Sequence, residues 1–159
     1  MANILKPPVS LPASFDTPSL FLAGSIEMGQ APPWQHLVER ALEADAVTIL
    51  NPRRDEWDAS WEQSIANPQF AAQVRWELEA QERADCIAMY FAPGTQAPIT
   101  LLELGLLART GKLVVCCPPG YWRKGNVDIV CHHYQIPQVS TLEELCGYVT
   151  DWCQQQRVH

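Results

Sequence analysis

The sequence predicts a single α/β domain whose parallel sheet is covered by helices on both faces. Short continuous apolar runs, among them Leu20-Phe21-Leu22-Ala23 and Cys86-Ile87-Ala88-Met89-Tyr90-Phe91, read as strands buried on both sides rather than half-exposed ones. Segments with apolar residues at helical spacing lie between these runs. Each run ends at a glycine or proline, where the chain leaves a strand.

In order, residues 1–18 carry Pro7, Pro8, Pro12 and Pro18 and are expected to be a flexible lead-in, with the domain spanning 19–159. Ser19 to Gly24 is the first strand, with an exit at Gly24-Ser25. Trp34, Leu37, Val38, Ala41 and Leu42 predict a helix from Trp34 to Ala44 after Pro32-Pro33. Val47 to Leu50 is the second strand, closed by Asn51-Pro52, and a Trp-rich loop runs to Asn67. A helix is expected from Pro68 to Arg83, a third strand from Cys86, and a further helix from Pro98 that stops at Gly111. Leu113 to Cys117 is the fourth strand, and a fifth is expected near Tyr134 to Ile136. Thr141-x-x-Glu144 is a capping box opening the last helix. The architecture expected is a flavodoxin-like, or Rossmann-like, doubly wound domain with about five strands.

The chain has 159 residues, 47% of them apolar and 18% charged, enough to build a core without metals or disulfides. A net charge of −7 argues against binding a nucleic-acid duplex, which needs a concentrated basic surface. The small foci Arg53-Arg54 and Lys112 with Arg123-Lys124 suit a small polar or anionic ligand better than a polymer. No stretch approaches the roughly 20 apolar residues that span a bilayer, and no signal pattern opens the chain, so a cytoplasmic protein is expected. Of the six cysteines, Cys86, Cys116 and Cys117 fall in strands, while Cys146 and Cys153 share a helix face. Cys131-His132-His133 has metal-ligand character but lacks paired C-x-x-C spacing, and reads as a loop after a strand. No metal or cofactor is expected.

In this architecture ligands bind beyond the carboxyl ends of the strands. The segments placed there are Gly24-Ser25-Ile26-Glu27, Asn51-Pro52-Arg53-Arg54-Asp55, Ala92 to Glu103, and Pro118 to Asn126. They contain no dinucleotide fingerprint, phosphate loop, G-x-S-x-G elbow or H-E-x-x-H motif. What remains is a carboxylate, Glu103, expected in the first turn of its helix, and a second one, Glu77, on the preceding helix. By spacing alone Thr100-x-x-Glu103 is a capping box, and Glu77 a solvated helix charge.

Phe21-Leu22-Ala23-Gly24-Ser25-Ile26, Asp85-Cys86-Ile87-Ala88-Met89, Leu102-Glu103-Leu104-Gly105-Leu106-Leu107-Ala108 and Gly111-Lys112 together resemble the nucleoside 2-deoxyribosyltransferase superfamily, over about Ser19 to Asn126. The first block also resembles the related 2-deoxynucleoside 5-phosphate N-hydrolases. The resemblance makes Glu103 the nucleophile and Glu77 the residue that orients the sugar or moves a proton. Family members commonly have Asp at the latter position. A further family Asp falls near Ala97 here, which leaves protonation of the leaving base to Asp55, Asp58 or Glu27. The resemblance also implies a homo-oligomer, with Asn126 as the residue offered to a neighbouring subunit's site.

Chemistry is consistent with that assignment. Cleaving an N-glycosidic bond develops positive charge at C1, which a carboxylate stabilises and can trap as an ester. Gly24, Ser25 and Ile26 would let the backbone approach the ligand, Asn51 would read a base edge, and Trp57 or Trp61 would stack on it. Thr100 and Asp55 complete the expected contacts. The expected function is cleavage of 2-deoxyribonucleosides through a glutamyl-deoxyribose intermediate, with transfer to another free base. Arg53 and Arg54 would instead fit a 5-phosphate in a 2-deoxynucleoside 5-phosphate N-hydrolase. A nucleotide-binding sensor module without turnover is the remaining alternative.

Overall fold

The computed structural model describes residues 1–26, 33–54 and 60–157. Its elements are β1 (Asn3–Leu5), β2 (Ser19–Gly24), α1 (Trp34–Ala41), β3 (Thr48–Leu50), α2 (Pro68–Arg83), β4 (Cys86–Tyr90), α3 (Pro98–Leu107), β5 (Leu113–Cys116), α4 (Lys124–His133), β6 (Gln138–Val139) and α5 (Leu142–Gln156). The 6-stranded sheet runs in the order β1-β3-β2-β4-β5-β6, and every pairing is parallel.

Each strand divides its side chains between two cores, because alternate residues point to opposite faces. Phe21, Ala23, Ile87, Met89 and Val115 meet α2, α3 and α4 through Trp76, Ala80, Leu104, Leu107, Val127 and Cys131. Leu20, Leu22, Ala88 and Val114 meet α1 and α5 through Trp34, Val38, Leu145 and Val149. With both faces covered, β3, β4 and β5 are buried along their whole length, which is why they appear as unbroken apolar runs.

Local chemistry sets the helix boundaries. Asn67 caps α2 by accepting from the N–H groups of Gln69 and Phe70, with Pro68 in the first turn. Thr141 caps α5 by accepting from the Glu144 N–H, and the Glu144 carboxylate returns to the Ser140 N–H.

Three expectations need correction. The sheet has six strands, because the lead-in contributes β1, which pairs with β3. The rest of that segment is pinned to α2: Trp76 Nε1 donates to the Val9 carbonyl at 2.9 Å, and the Arg83 guanidinium stacks on Phe15 at 4.5 Å. Residues near Tyr134 are not a strand. Val127, Val130 and Cys131 recur at helical spacing in α4, which Gln135 closes in a left-handed conformation at φ 57 before β6 begins at Gln138. Cys131-His132-His133 therefore ends a helix rather than filling a loop.

The strand order reverses between β2 and β4, since β3 lies on one side of β2 and β4 on the other. That crevice, beyond Gly24 and Tyr90, is where doubly wound sheets take their ligands.

Candidate active site

Helix α2 carries Gln73, Glu77 and Gln81 at intervals of four, so they fall on one stripe of the helix. This stripe is enclosed: Gln73 and Gln81 are each 2% exposed. Gln73 sits at the end nearer the loop after β3. Its Oε1 accepts from Arg54 Nε at 2.7 Å, and its Nε2 donates to the Pro52 carbonyl at 3.0 Å and to Glu77 Oε1 at 3.2 Å. At the other end, Gln81 Nε2 donates to Glu103 Oε2 on α3. A polar line therefore runs from Arg54 through Gln73 to Glu77, and Gln81 joins the same stripe to Glu103.

Glu103 is not the capping residue that its spacing suggests. The helix already starts at Pro98, with Ala97 as a cap that makes no side-chain bond, so Glu103 falls in the second turn. Its carboxylate turns to Gln81 and is 8% exposed. The helix dipole acts mainly within the first turn and gives little help to ionisation at that depth. Burial, and then the neighbouring Glu77, push the Glu103 pKa up to about 8, while the Gln81 bond pulls it down. Glu77 is not a solvated charge either. Burial raises it to about 7, against the lowering effects of the Gln73 bond and Arg54. The repulsion of Glu77 on Glu103 couples their titrations, and both are raised toward neutral pH. Such a pair can offer one ionised and one protonated carboxyl group near neutral pH, the combination used in acid–base and nucleophilic chemistry.

The other expected residues serve different purposes. A Cβ at Gly24 would lie 2.5 Å from the Trp34 ring and 2.7 Å from the Tyr90 carbonyl, so packing alone demands glycine there. Ser25 ties the ends of β2 and β4 together. Its N–H donates to the Tyr90 carbonyl, its Oγ accepts from the Ala92 N–H, and the same Oγ lies 3.0 Å from Thr95 Oγ1. Ile26 is half-buried beyond it, and Thr100 is buried on α3.

Asn51 uses both ends of its amide within the protein: Nδ2 donates to Glu39 Oε1 at 2.6 Å, and Oδ1 accepts from the Arg53 N–H at 3.0 Å. Arg53 Nη1 donates to Gln35 Oε1, and the Arg54 guanidinium lies 4.8 Å from the centre of the Trp61 ring. Asn126 is exposed in the first turn of α4. Asp55, Trp57, Glu27 and Asp58 lie outside the described residues. Cys131 is buried while His132 and His133 are exposed, and among the described residues no three His, Cys, Asp or Glu side chains gather as a metal site. Asp85 acts at the opposite end of the sheet, where its carboxylate accepts from the Ser19 N–H and hydroxyl.

Sequence reasoning missed Gln73 and Gln81. The available signal was two amides eight residues apart, with Glu77 midway between them, on a helix whose neighbouring Trp76 and Ala80 face the core.

A family model described as "nucleoside 2-deoxyribosyltransferase like" matches residues 17–121, a span that includes Glu77, Gln81 and Glu103. No curated protein matches the sequence. A crystal structure of a conserved protein from Enterococcus faecalis V583 superposes with a TM-score of 0.59 at 14% identity, covering 85% of this chain and 98% of that one, a likeness of fold. Among the described residues no helix is long and apolar enough to cross a membrane.

Proposed function

The chain belongs to the nucleoside 2-deoxyribosyltransferase-like family, and from that premise we propose that it cleaves the N-glycosidic bond of 2-deoxyribonucleosides, with Glu103 as nucleophile and another free base as acceptor. Family membership suggests glycosyl transfer or hydrolysis on nucleosides or bases. The observation that carries the finer reading is the enclosed Glu103 carboxylate, fixed by Gln81 and coupled to Glu77.

In this reading the reactive form has Glu103 ionised and the pair's one proton moved to Glu77, although at rest Glu103, at about 8, holds that proton against Glu77, at about 7. A Glu103 oxygen bonds to C1 of the sugar, the C1–N bond breaks, and its electron pair leaves with the base. The developing positive charge at C1 also lowers the cost of ionising Glu103 in its dry surroundings. A second base then attacks C1 through a ring nitrogen, its released N–H proton replacing the one the departing base took up, the ester bond breaks, and the carboxylate returns. Two displacements retain the β configuration. A 2-hydroxyl would crowd the nucleophile, so deoxyribonucleosides are the preferred substrates.

The outer side of α3 supports a homo-oligomer. Ile99, Leu102 and Leu106 are 59%, 59% and 56% exposed, and they form a stripe on the side away from Leu104 and Leu107. A helix apolar all round is normally covered, and a second copy of the chain is the cover proposed.

Incubation of a deoxynucleoside with an isotopically labelled free base tests the reaction. Label entering nucleoside supports transfer. Free sugar accumulating without label uptake makes the protein a hydrolase.

A further inference from the structure

A second polar concavity lies at the C-terminal ends of the edge strand β1 and its neighbour β3, beside the start of α1. It has a volume of about 210 Å³ and is lined by Lys6, Gln35, His36, Asn51, Arg53 and Arg54, together with Pro33. Among the described residues no carboxylate lines it. The neighbouring Glu39 is already engaged, with Oε1 accepting from Asn51 and Oε2 3.2 Å from His36 Nδ1.

Two independent features mark this cleft as a place for an anion. Gln35 is 1% exposed and its Oε1 accepts from Arg53, yet its Nε2 has no hydrogen-bond partner among the described residues. A buried donor left unmatched is costly, so such a group calls for an acceptor. Helix α1 also opens at Pro33 without a side-chain cap and with no acidic residue in its first turn. Its N–H groups and positive dipole end are therefore not neutralised by its own sequence. Lys6 and Arg53 hold further contacts of their own, so the unmatched amide and the uncapped helix single out the site, and the cationic side chains set its sign.

We propose that this cleft binds a phosphoryl group. Its donors converge from three chain segments: the start of α1, the loop after β3, and Lys6 after β1. Their number and spread suit a tetrahedral oxyanion with several acceptors better than a two-oxygen carboxylate. The group is either free phosphate or a phosphate ester carried by a nucleotide. Arg54 borders the cleft and donates to Gln73, so an occupant would sit at the outer end of the polar line that reaches Glu77. Binding here does not depend on the glycosidic reading, because it is measured without turnover.

The test is calorimetric titration at low ionic strength with inorganic phosphate, a 2-deoxynucleoside 5-monophosphate, and the unphosphorylated nucleoside. Wild type, Lys6→Glu and Gln35→Glu are compared. Lys6 is the variant expected to fold normally, because its side chain is only half-buried. The expected result is phosphate binding that weakens at least tenfold in both variants. A monophosphate that binds more tightly than its nucleoside, competes with phosphate and weakens equally in the variants identifies the ester as the source. Phosphate that binds equally well with the monophosphate present identifies the free ion. Absence of phosphate binding at millimolar concentration, or binding unchanged by folded Lys6→Glu, overturns the proposal.

Discussion

Gln81 on α2 donates a hydrogen bond to Glu103 on α3, joining residues 22 apart in the chain inside a nearly water-free space. This bond and the nearby Glu77 set the state of the candidate nucleophile in opposite senses. The amide favours the charged carboxylate, and Glu77 disfavours it.

Stability should carry the mark of that burial. The folded pKa of Glu103 lies above its ordinary value of 4.5, at about 8. Between those values the folded state holds a proton that the unfolded chain has released, so this group's contribution to stability falls as pH rises through the window. Glu103→Gln removes the titration. Its stability relative to wild type should rise from pH 5.5 to pH 8.5, by on the order of 1–3 kcal/mol, in urea unfolding at each pH. A constant difference across that range contradicts a buried, titrating Glu103.

Activity should follow the pair rather than either residue. The base-release kcat/KM should rise with pH up to the neutral region as the pair loses its first proton, then level off or fall as the second leaves. Glu77→Gln removes the negative neighbour that helps hold Glu103 high, so the ascending limb should move to lower pH in that variant. A limb that stays in place would show that Glu77 does not act on Glu103.

The crevice between β2 and β4 depends on packing at one glycine. Gly24→Ala would press a methyl group into Trp34 and the Tyr90 carbonyl. It should cost about 1–3 kcal/mol in denaturant unfolding, as overpacking does. An unchanged midpoint would mean that the Trp34 ring moves aside freely.

Much of the architecture was legible because its signals are local. Apolar runs gave β2, β4 and β5; Asn67-Pro68 and Thr141-x-x-Glu144 gave the starts of α2 and α5. The element missed at the C-terminal edge, β6, is only Gln138–Val139, too short and polar to show a pattern. The site was half legible. The resemblance pointed to Glu103 and Glu77, but the start of α3 could not be read, because Ala97 caps it through a left-handed backbone at φ 45 rather than through a side chain. Thr100 then passed for a cap that it is not. The roles of Gln81 and Asn51 depend on long-range partners, Glu103 and Glu39, which no local pattern announces.

Association should respond to the exposed α3 stripe. Leu102→Asp with Leu106→Asp should convert the homo-oligomer to monomer in light scattering with little change in the monomer's fold, since both side chains face outward. Wild type that is already monomeric at micromolar concentration contradicts the proposed assembly.

The most direct test of the central claim is intact-protein and peptide mass spectrometry after brief incubation with a 2-deoxynucleoside and no acceptor base. The account predicts a deoxyribosyl adduct on the peptide containing Glu103, absent from Glu103→Gln. It also predicts that this variant loses base release by about 10³-fold or more. Base release that persists in a folded Glu103→Gln protein, with no adduct in wild type, would contradict it.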